Sequence, residues 1–565
     1  MTFRYGLLSI LVLSTLIMAS LPASQEPIRV THGMVVVDDP IAASVGVKVL
    51  RNGGSAIDAA VATAFALAVT YPFAGNVGGG GFLVYRPVDG PAVAYDFRET
   101  APAAALPDMF FIRGNYNAQR HHNSHISVGV PGTVAGLYQA WAEHGTLPWR
   151  RLVDPAVALA RNGFELTPAR AASLASVLPA MRRYPSSLSV FSKDGAPYEA
   201  GEHLYQSLLA ETLARISSDG PAGFYRGRTA ELIAQEMAEN GGLVTEEDLR
   251  AYEPKRRTPI FGTYRGYDVI SMPPVSSGGV VLIEMLNVLE GFDLRSAGHG
   301  SVVNIHRITE AMRRAFADRA LYLGDPDFSP SMQAIVTRLT SKTHAARQRM
   351  SIDPDRASNS VATSFEWPAS GGETTHLSVV DADRNAVSLT TTLEQGYGSK
   401  IVVRGAGFLL NNEMGDFNAG PGLTTESGLI GTPPNLAAPR KRMLSSMTPT
   451  IIAKDGHLVM VTGSPGGRTI INTVLHTILN VIDFNMNVQE AVAAPRFHHQ
   501  WLPDELRYER HGFSPDTIAL LKAQGHRLVP YRRQGAVNAI VFDAEYDTLE
   551  GAADERRADA VARGY

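Results

Sequence analysis

The spacing of hydrophobic residues predicts a largely helical first part of the chain. Residues 55–70 are mostly small and apolar, and Ser55 and Asp58 have the spacing of a capping box, which predicts a buried helix. Other segments show either helical periodicity or short β-branched and aromatic runs. They predict helices at 134–143, 204–216 and 303–323 and strands at 82–85 and 92–97.

The pattern changes near residue 373. Residues 353–372 lack periodicity and are rich in Ser, Pro and Gly, which predicts a flexible, exposed segment. Beyond it, residues 377–380 and 386–393 are rich in β-branched side chains and flank the polar turn 381–385. This arrangement is typical of a β-hairpin. The clearest boundary in the chain therefore lies between these two kinds of sequence.

A strand, a glycine turn and a helix are predicted farther along. Residues 458–462 have strand character, and the segment Gly463-Ser-Pro-Gly-Gly467 follows them directly. The next segment carries apolar pairs every four residues, at Ile470/Ile471, Val474/Leu475 and Ile478/Leu479. That period predicts a helix.

The first 24 residues are typical of a secretory signal peptide. Arg4 precedes the apolar stretch 6–19, and small residues follow it around Ala23. An uncleaved membrane anchor is the alternative, although a membrane span needs about 20 apolar residues. We therefore expect residues 1–24 to be removed and the protein to be periplasmic or secreted, with no membrane attachment afterwards.

Composition narrows the possible chemistry. The chain has 51 basic and 55 acidic residues and no long run of one sign, so we expect neither a nucleic acid nor an anionic membrane as partner. It contains no cysteine, which excludes thiolate catalysis, Cys-ligated zinc and iron–sulfur clusters. An exported chain without disulfides must be stabilised by its packed core.

Motifs of several common hydrolase classes are missing. The sequence has no G-x-S-x-G, H-E-x-x-H or Walker A motif. Ser276-Ser277 is predicted to cap a helix rather than to supply a nucleophile. Two groups of histidines lack an acidic partner at a metal-binding spacing and are predicted to be solvated loop residues: His121, His122 and His125, and His498 with His499.

Thr374 lies where the flexible segment meets the predicted hairpin. A threonine hydroxyl is a weak nucleophile that needs an adjacent base. If the peptide bond between Glu373 and Thr374 breaks, the new α-amine, with a reference pKa of about 8, becomes that base. A single residue then supplies both the nucleophile and the base.

The hairpin adds a geometric argument. Thr374 and Thr392 are equidistant from Asp383 in the sequence, so in a hairpin centred there they face each other on one side of the sheet. A register slip of one residue would separate them. The alternative is that these threonines are present only because β-branched residues favour strands.

Longer motifs resemble the gamma-glutamyltranspeptidase (glutathione hydrolase) family in order and spacing. They occupy residues 96–102, 129–136, 374–381, 409–417, 444–447 and 463–467, so the resemblance covers essentially the whole mature chain. It implies an α+β fold, the four-layer αββα sandwich of the N-terminal nucleophile hydrolases. It also implies a large subunit (25–373) and a small subunit (374–565) that are cut from one precursor and form one intertwined domain.

The resemblance implies catalytic roles as well. Thr374 would attack the carbonyl of Glu373 in an N-to-O acyl shift and, after maturation, a γ-glutamyl amide. Thr392 would hydrogen-bond the nucleophile. Gly466 and Gly467 would form the oxyanion hole, which suits backbone N–H groups at a glycine turn before a helix.

The substrate head would be a free amino acid with one carboxylate and one ammonium. The resemblance implies a carboxylate site of Arg98, Ser445 and Ser446 and an ammonium site of Glu394, Glu413 and Asp416. Glu394 stands where many family members carry Asn, but a carboxylate still suits a cation. Ser427, in the lid-like segment 420–440, replaces a gating tyrosine of some members, which puts lid closure in question.

The implied activity is hydrolysis of glutathione-like γ-glutamyl compounds or transfer of the γ-glutamyl group to an amino acid or dipeptide. No metal or organic cofactor is expected. Two alternatives stay open: a β-lactam side-chain acylase on the same scaffold, which would not need an ammonium site, and a binding protein that has kept the fold without the reaction.

Overall fold

The computed structural model describes residues 26–361, 374–423, 425 and 430–565. The predicted signal peptide, Glu373 and Ser427 therefore lie outside the described residues. In chain order the strands are β1 (Ile28–Val30), β2 (Met34–Val37), β3 (Gly80–Arg86), β4 (Val93–Phe97), β5 (Phe111–Ile112), β6 (Asn115–Tyr116), β7 (Phe164–Glu165), β8 (His203–Leu204), β9 (Lys255–Arg257), β10 (Ile260–Tyr264), β11 (Tyr267–Ser271), β12 (Thr374–Val380), β13 (Ala386–Thr392), β14 (Thr450–Lys454), β15 (His457–Gly463), β16 (Phe497–His498), β17 (Leu506–Glu509), β18 (Leu528–Tyr531), β19 (Asn538–Asp543), β20 (Thr548–Ala553) and β21 (Val561–Gly564).

Helices occupy both parts of the chain. They are α1 (Pro40–Arg51), α2 (Ala56–Thr70), α3 (Ala118–His122), α4 (Thr133–His144), α5 (Trp149–Asn162), α6 (Pro168–Met181), α7 (Pro185–Phe191), α8 (Ser207–Asp219), α9 (Ala222–Tyr225), α10 (Gly227–Asn240), α11 (Glu246–Arg250), α12 (Gly278–Leu289), α13 (Leu294–Ala297), α14 (Val302–Tyr322), α15 (Met332–Leu339), α16 (Lys342–Met350), α17 (Thr469–Ile482), α18 (Val488–Ala493) and α19 (Pro515–Ala523).

Two antiparallel seven-stranded sheets form the centre of the fold. One has the order β1-β20-β19-β15-β14-β11-β10 and the other the order β21-β2-β12-β13-β3-β4-β9. The sheets face each other through contacts such as β13 with β15 and β12 with β19. Helices α1, α2 and α4 cover the second sheet, and α12, α17 and α18 cover the first. The predicted αββα sandwich is therefore confirmed.

Most local predictions agree with the structure. The helix predicted at 55–70 is α2, and its capping box between Ser55 and Asp58 is formed. The predicted hairpin is β12 and β13, and its register places Thr374 opposite Thr392. The strand, glycine turn and helix predicted after residue 458 are β15, the turn and α17. Residues 351–361 contain no helix or strand, as predicted for the part of that segment that is described.

The hairpin register is fixed by its turn. The carboxylate of Asp381 accepts hydrogen bonds from the backbone N–H groups of Asp383, at 3.1 Å, and Asn385, at 3.0 Å. Aspartate often closes a turn in this way. Its second oxygen accepts a bond of 2.9 Å from the N–H of Ala56, at the start of α2. One side chain therefore ties the turn to the helix layer.

The space between the sheets is polar close to Thr374. The hydroxyl of Ser378 donates to the carbonyl of Asn538, at 2.9 Å, and the hydroxyl of Ser388 donates to the carbonyl of Thr462, at 3.0 Å. These bonds join the two sheets directly. His376 lies between the two sheets, and its burial lowers the pKa of the imidazole to about 3. Its ring is therefore neutral, and the sheets are held in fixed relation where the strand ends carry the predicted site.

Candidate active site

One cavity of about 410 Å³ brings most of the predicted site residues together. Its lining includes Arg98, Thr374, Thr392, Glu394, Asp416, Ser445, Ser446, Gly466 and Gly467. These residues come from distant positions in the sequence, and they lie at or near the ends of strands of both sheets. Glu413 does not line the cavity and is fully buried.

Thr374 and Thr392 lie side by side at the end of the hairpin. The hydroxyl of Thr374 donates to the hydroxyl oxygen of Thr392 over 3.4 Å. The oxygen of Thr392 also accepts a 2.9 Å bond from the N–H of Glu394, which holds it in place. Strand β2 pairs with β12 only from Leu377 onward, so among the described residues no strand pairs with Thr374 on that side. Thr374 is thus fixed in position and lines the cavity.

The glycine turn between β15 and α17 supplies two unused backbone donors. Gly466 has a φ of 134° and Gly467 a φ of 57°, which are conformations that glycine tolerates best. A Cβ atom on Gly466 would lie 2.6 Å from the hydroxyl of Thr469, so a larger residue would not fit. Within the described residues neither N–H donates a hydrogen bond. Such donors at the positive end of a helix can receive an oxyanion.

Arg98 is surrounded by carboxylates. Its Nη1 lies 2.6 Å from an oxygen of Glu413 and 3.8 Å from one of Glu99, and its Nη2 is hydrogen-bonded to Asp416. Burial lowers the pKa of Arg98, but the three carboxylates together raise it above its ordinary value. The residues predicted to form separate carboxylate and ammonium sites are therefore in direct contact.

Glu413 and Asp416 occupy one short 3₁₀ turn but differ in environment. Burial raises the pKa of Glu413 well above its ordinary value, although Arg98 lowers it. The side chain of Asp416 is 39% exposed and reaches the cavity. Asp416 can therefore contact a ligand directly, whereas Glu413 contacts Arg98.

Glu394 lies at the end of β13 in a backbone conformation unusual for a residue other than glycine, with a φ of 77°. One carboxylate oxygen is 3.5 Å from Nδ1 of His122, and the other accepts a bond from the amide of Asn412. Burial raises the pKa of Glu394, and the contact with His122 lowers it. These contacts hold a carboxylate at the cavity wall.

Ser445 and Ser446 present hydroxyls to the same cavity. The N–H of Met447 donates to the hydroxyl oxygen of Ser445 at 3.1 Å. The guanidinium of Arg319 donates to that of Ser446 at 2.9 Å. Helix α12 begins after Ser277, as predicted, but the Ser277 hydroxyl makes no capping bond and instead donates to the carbonyl of Ser445 at 2.6 Å. Ser277 therefore supports the site rather than the helix end.

The prediction that the histidine groups are solvated is wrong. All five are buried: His121, His122, His125, His498 and His499. Hydrogen bonds inside the protein offset the cost of burial for four of them, whereas Nδ1 of His122 has no hydrogen-bond partner among the described residues. For example, Nε2 of His121 contacts the carbonyl of Met414 at 3.0 Å, and Nε2 of His499 contacts Asp504 at 3.0 Å. The local sequence around these histidines therefore did not reveal that their side chains are buried.

Sequence reasoning missed several arginines in the cavity lining, among them Arg319 and Arg468. Arg319 lies on α14, among residues whose helical spacing could have marked its face as the buried one. Arg468 directly follows the glycine turn. Burial lowers the pKa of both guanidinium groups, and that of Arg319 falls to about 10. The cavity is thus more cationic than predicted.

Two groups of metal-ligand residue types lie away from the cavity. They are His306 with Glu310 and His526, and Glu284 with Asp318 and His344. Glu310 is already paired with Arg313 and Arg314. The carboxylates of Glu284 and Asp318 raise the pKa of His344 to about 9. The carboxylate of Glu310 is therefore already occupied by two guanidinium groups, and the ring of His344 is paired with Asp318 and Glu284.

Comparisons with known proteins agree on one family. A sequence profile described as Gamma-glutamyltranspeptidase matches residues 42–564. The glutathione hydrolase proenzyme of Escherichia coli (strain K12) is 47% identical over 546 residues, which are 96% of this chain and 93% of that protein. Within the described residues, no helix is both long and apolar enough to cross a membrane.

Solved structures of other proteins are similar to this fold. A cephalosporin acylase from Bacillus halodurans superposes with a TM-score of 0.84 at 26% identity, covering 98% of this chain and 99% of that one. Helicobacter pylori gamma-glutamyltranspeptidase gives a TM-score of 0.55 at 45% identity, over 56% of this chain and 91% of that one. With the profile match and the 47% identity, the chain belongs to the gamma-glutamyltranspeptidase family.

Proposed function

We propose that this protein is an autoprocessing γ-glutamyltranspeptidase, or glutathione hydrolase, that uses Thr374 as its nucleophile. The observation that carries the proposal is the pair of Thr374 and Thr392 in one cavity with the unused N–H groups of Gly466 and Gly467. A nucleophile, its hydrogen-bond partner and oxyanion donors are the parts that acyl transfer requires.

Maturation is the first reaction. The hydroxyl oxygen of Thr374 attacks the carbonyl carbon of Glu373, and the C–N bond of that peptide breaks as the proton passes to the nitrogen. The product is an ester on Thr374 with a free α-amine. Water then hydrolyses the ester, which releases the carboxylate of Glu373 and restores the hydroxyl. The large subunit (25–373) and the small subunit (374–565) stay together as a heterodimer.

Turnover repeats the attack on a γ-glutamyl amide. The α-amine of Thr374 accepts the hydroxyl proton, while the hydroxyl contact with Thr392 orients the nucleophile. The N–H groups of Gly466 and Gly467 stabilise the oxyanion of the tetrahedral intermediate, a type of contact whose loss costs on the order of 10²–10³ in rate. The leaving amine takes the proton as the C–N bond breaks. Water or an amino acid or dipeptide then takes the acyl group.

Substrate recognition follows from the charges at the cavity wall. Asp416 and Glu394 supply carboxylates for the α-ammonium of the γ-glutamyl group. Ser445 and Ser446 supply hydroxyl donors for its α-carboxylate, next to the guanidinium of Arg98. Glu413, which contacts Arg98 and does not line the cavity, acts by positioning that guanidinium.

The partners are small molecules: glutathione or other γ-glutamyl compounds as donors, and water or amines as acceptors. The signal-like residues 1–24 support export to the periplasm or the medium. The cleavage that frees Thr374 there would not need another enzyme, because the attacking hydroxyl is in the chain itself.

The cleavage test uses denaturing gels and mass spectrometry. Purified wild type is expected to give two fragments, the smaller beginning at Thr374, whereas Thr374→Ala stays whole because it has no hydroxyl to attack Glu373. The matched control is Thr375→Ala, the neighbouring threonine, whose hydroxyl contacts Asp38 and not the cavity. We expect Thr375→Ala to be cleaved into the same two fragments as wild type. A small fragment that starts at any other residue contradicts the mechanism.

An acylase for β-lactam side chains is the second candidate, because the Bacillus halodurans acylase shares the whole fold. The two functions differ in the ammonium site, since a glutaryl group lacks the α-ammonium. Comparing kcat/KM for γ-glutamyl and glutaryl p-nitroanilides separates them. We expect the γ-glutamyl substrate to be preferred by roughly 10-fold or more, the value of a charge-assisted hydrogen bond. A preference for the glutaryl substrate favours the acylase.

A further inference from the structure

Arg319 is a buried cation without a carboxylate partner. Its residue is 6% exposed, and it forms no ion pair with any described residue. Its Nε donates to the hydroxyl of Ser277 at 2.8 Å, and its Nη2 donates to the hydroxyl of Ser446 at 2.9 Å. Two neutral hydroxyls do not balance a buried charge, which normally requires an anion. Since Arg319 lines the cavity, that anion can come from a ligand.

The surrounding charges support this reasoning. Burial lowers the pKa of Arg319 to about 10, and Asp416 is the carboxylate that acts against this effect. Asp416, however, is hydrogen-bonded to Arg98. Arg468 also lines the cavity, and its pKa is lowered by burial and by the charge of Arg319. The guanidinium groups of Arg319 and Arg468 are therefore close enough for their positive charges to interact on this side of the cavity.

The hydrogen-bond directions at Ser446 show how an anion could bind. A serine hydroxyl can accept and donate at the same time. The oxygen of Ser446 already accepts from Arg319, and within the described residues its own proton has no acceptor. The bond from Arg319 thereby orients the Ser446 hydroxyl so that its proton can be donated to a ligand. The adjacent positive charge strengthens the hydrogen bond that this hydroxyl would donate.

We propose that Arg319 is a specificity-determining residue of the carboxylate site: it orients the Ser446 hydroxyl as a donor and supplies a second positive charge for the substrate α-carboxylate. The inference rests on the proposed function, because it concerns the α-carboxylate of a γ-glutamyl group. It adds to Arg98 a cation that is not already surrounded by carboxylates.

The test removes the charge from the enzyme and the carboxylate from the substrate. Wild type and Arg319→Gln are compared on γ-glutamyl p-nitroanilide and on 4-aminobutyryl p-nitroanilide, which keeps the amide and the ammonium but lacks the α-carboxylate. Acylation is measured with enzyme in excess, so that a slow substrate still gives a rate. We expect Arg319→Gln to lose roughly 10- to 100-fold in kcat/KM on the γ-glutamyl substrate, mainly through KM, and less than about 3-fold on the other.

Arg215→Gln is the matched control. Arg215 also donates from Nε and Nη2 to two hydroxyls, those of Thr229 and Thr212, and forms no ion pair with a described residue, but it lies outside the cavity. It should leave the ratio between the two substrates unchanged. If Arg319→Gln does not mature, Arg319→Lys replaces it, and a smaller loss confined to the γ-glutamyl substrate is expected.

Equal losses on both substrates, or no loss at all, overturn the role of Arg319. This result differs from failure of the proposed function, in which wild type itself would not react with γ-glutamyl p-nitroanilide. A gel of each variant shows whether both subunits are present before rates are compared.

Discussion

Charged residues at the cavity are buried, and their mutual contacts decide what each can do. Arg98 is 1% exposed and faces Glu99, Glu413 and Asp416. A buried charge that loses its partner is left without compensation, which destabilises a protein more than the pair itself stabilises it. Arg98 therefore supports the fold as well as ligand binding.

Replacing Arg98 by methionine, which keeps much of its volume, should lower the free energy of unfolding by about 3–5 kcal/mol, because the neighbouring carboxylates lose their counter-charge. The measurement is urea unfolding in the Thr374→Ala background, where the chain stays in one piece. Arg404→Met is the control, since its pair with Glu239 is exposed on both sides, and it should change little. A loss in Arg98→Met no larger than in the control would contradict this role.

Sequence motifs identified residue types at the cavity but not the contacts between them. Arg98 and Asp416 were assigned to opposite sites, and only the packed structure shows that they touch. Arg319 was missed because helical spacing can mark a face as buried but does not show whether an arginine on that face lines a cavity. The same reason explains the histidines, whose burial depends on elements far away in the chain.

At the scale of elements, the β12–β13 hairpin was predicted best. Its many β-branched residues and the Asp381 turn both act locally, and together they specify one register. The neighbours of the hairpin were not predicted. Strand β2 pairs with β12 and β3 pairs with β13 although both lie near the start of the chain, and such pairing leaves no mark within a local window of sequence.

Helix α14 links the end of the described first part of the chain to the second part. Glu310 accepts hydrogen bonds from Arg314 and from the N–H of Ser358. Arg313 contacts Glu310, Ser360 and Asp504. This network holds the chain shortly before the predicted cleavage site.

The network predicts a specific acid sensitivity. Burial would raise the pKa of Glu310, but Arg313, Ser358 and Arg314 together lower it to about 2. A lowered carboxyl pKa stabilises the fold above the unfolded value of about 4.3, and this stability is lost as pH falls towards 2. The loss attributable to Glu310 is roughly 3 kcal/mol.

Thermal unfolding of wild type and Glu310→Gln between pH 5 and 3 measures this effect. Wild type should lose stability steeply over that interval, and Glu310→Gln should be less stable at pH 7 but less sensitive to acid. Glu231→Gln, at an exposed pair with Arg228, serves as control and should keep the wild-type slope. If the stability of wild type and Glu310→Gln fell in parallel with pH, Glu310 would not be the source of the acid sensitivity.

At the scale of the whole molecule, the parts before and after Thr374 share both sheets. Strand pairs join them at β1–β20, β11–β14, β2–β12, β3–β13 and β2–β21. Strand β12, which begins at Thr374, is held between β2 and β13 by its later residues. A cut before Thr374 therefore leaves the nucleophile anchored in the middle of a sheet.

The shared sheets predict that the two fragments stay together after cleavage. Separating them would break backbone ladders and expose strand edges that are now paired, which favours aggregation over free subunits.

Light scattering after size exclusion should give one particle with the mass of the large and small fragments combined. The result should be the same in low salt and in 1 M salt, because the contact does not depend on screened surface charges. Denaturant should release two fragments. The small fragment expressed alone, residues 374–565, should be insoluble, since β12, β13 and β14 would lack their neighbours β2, β3 and β11 from the large fragment. Fragments that separate under native conditions would mean that the two sheets are not jointly built, and the fixed position of Thr374 would then need another explanation.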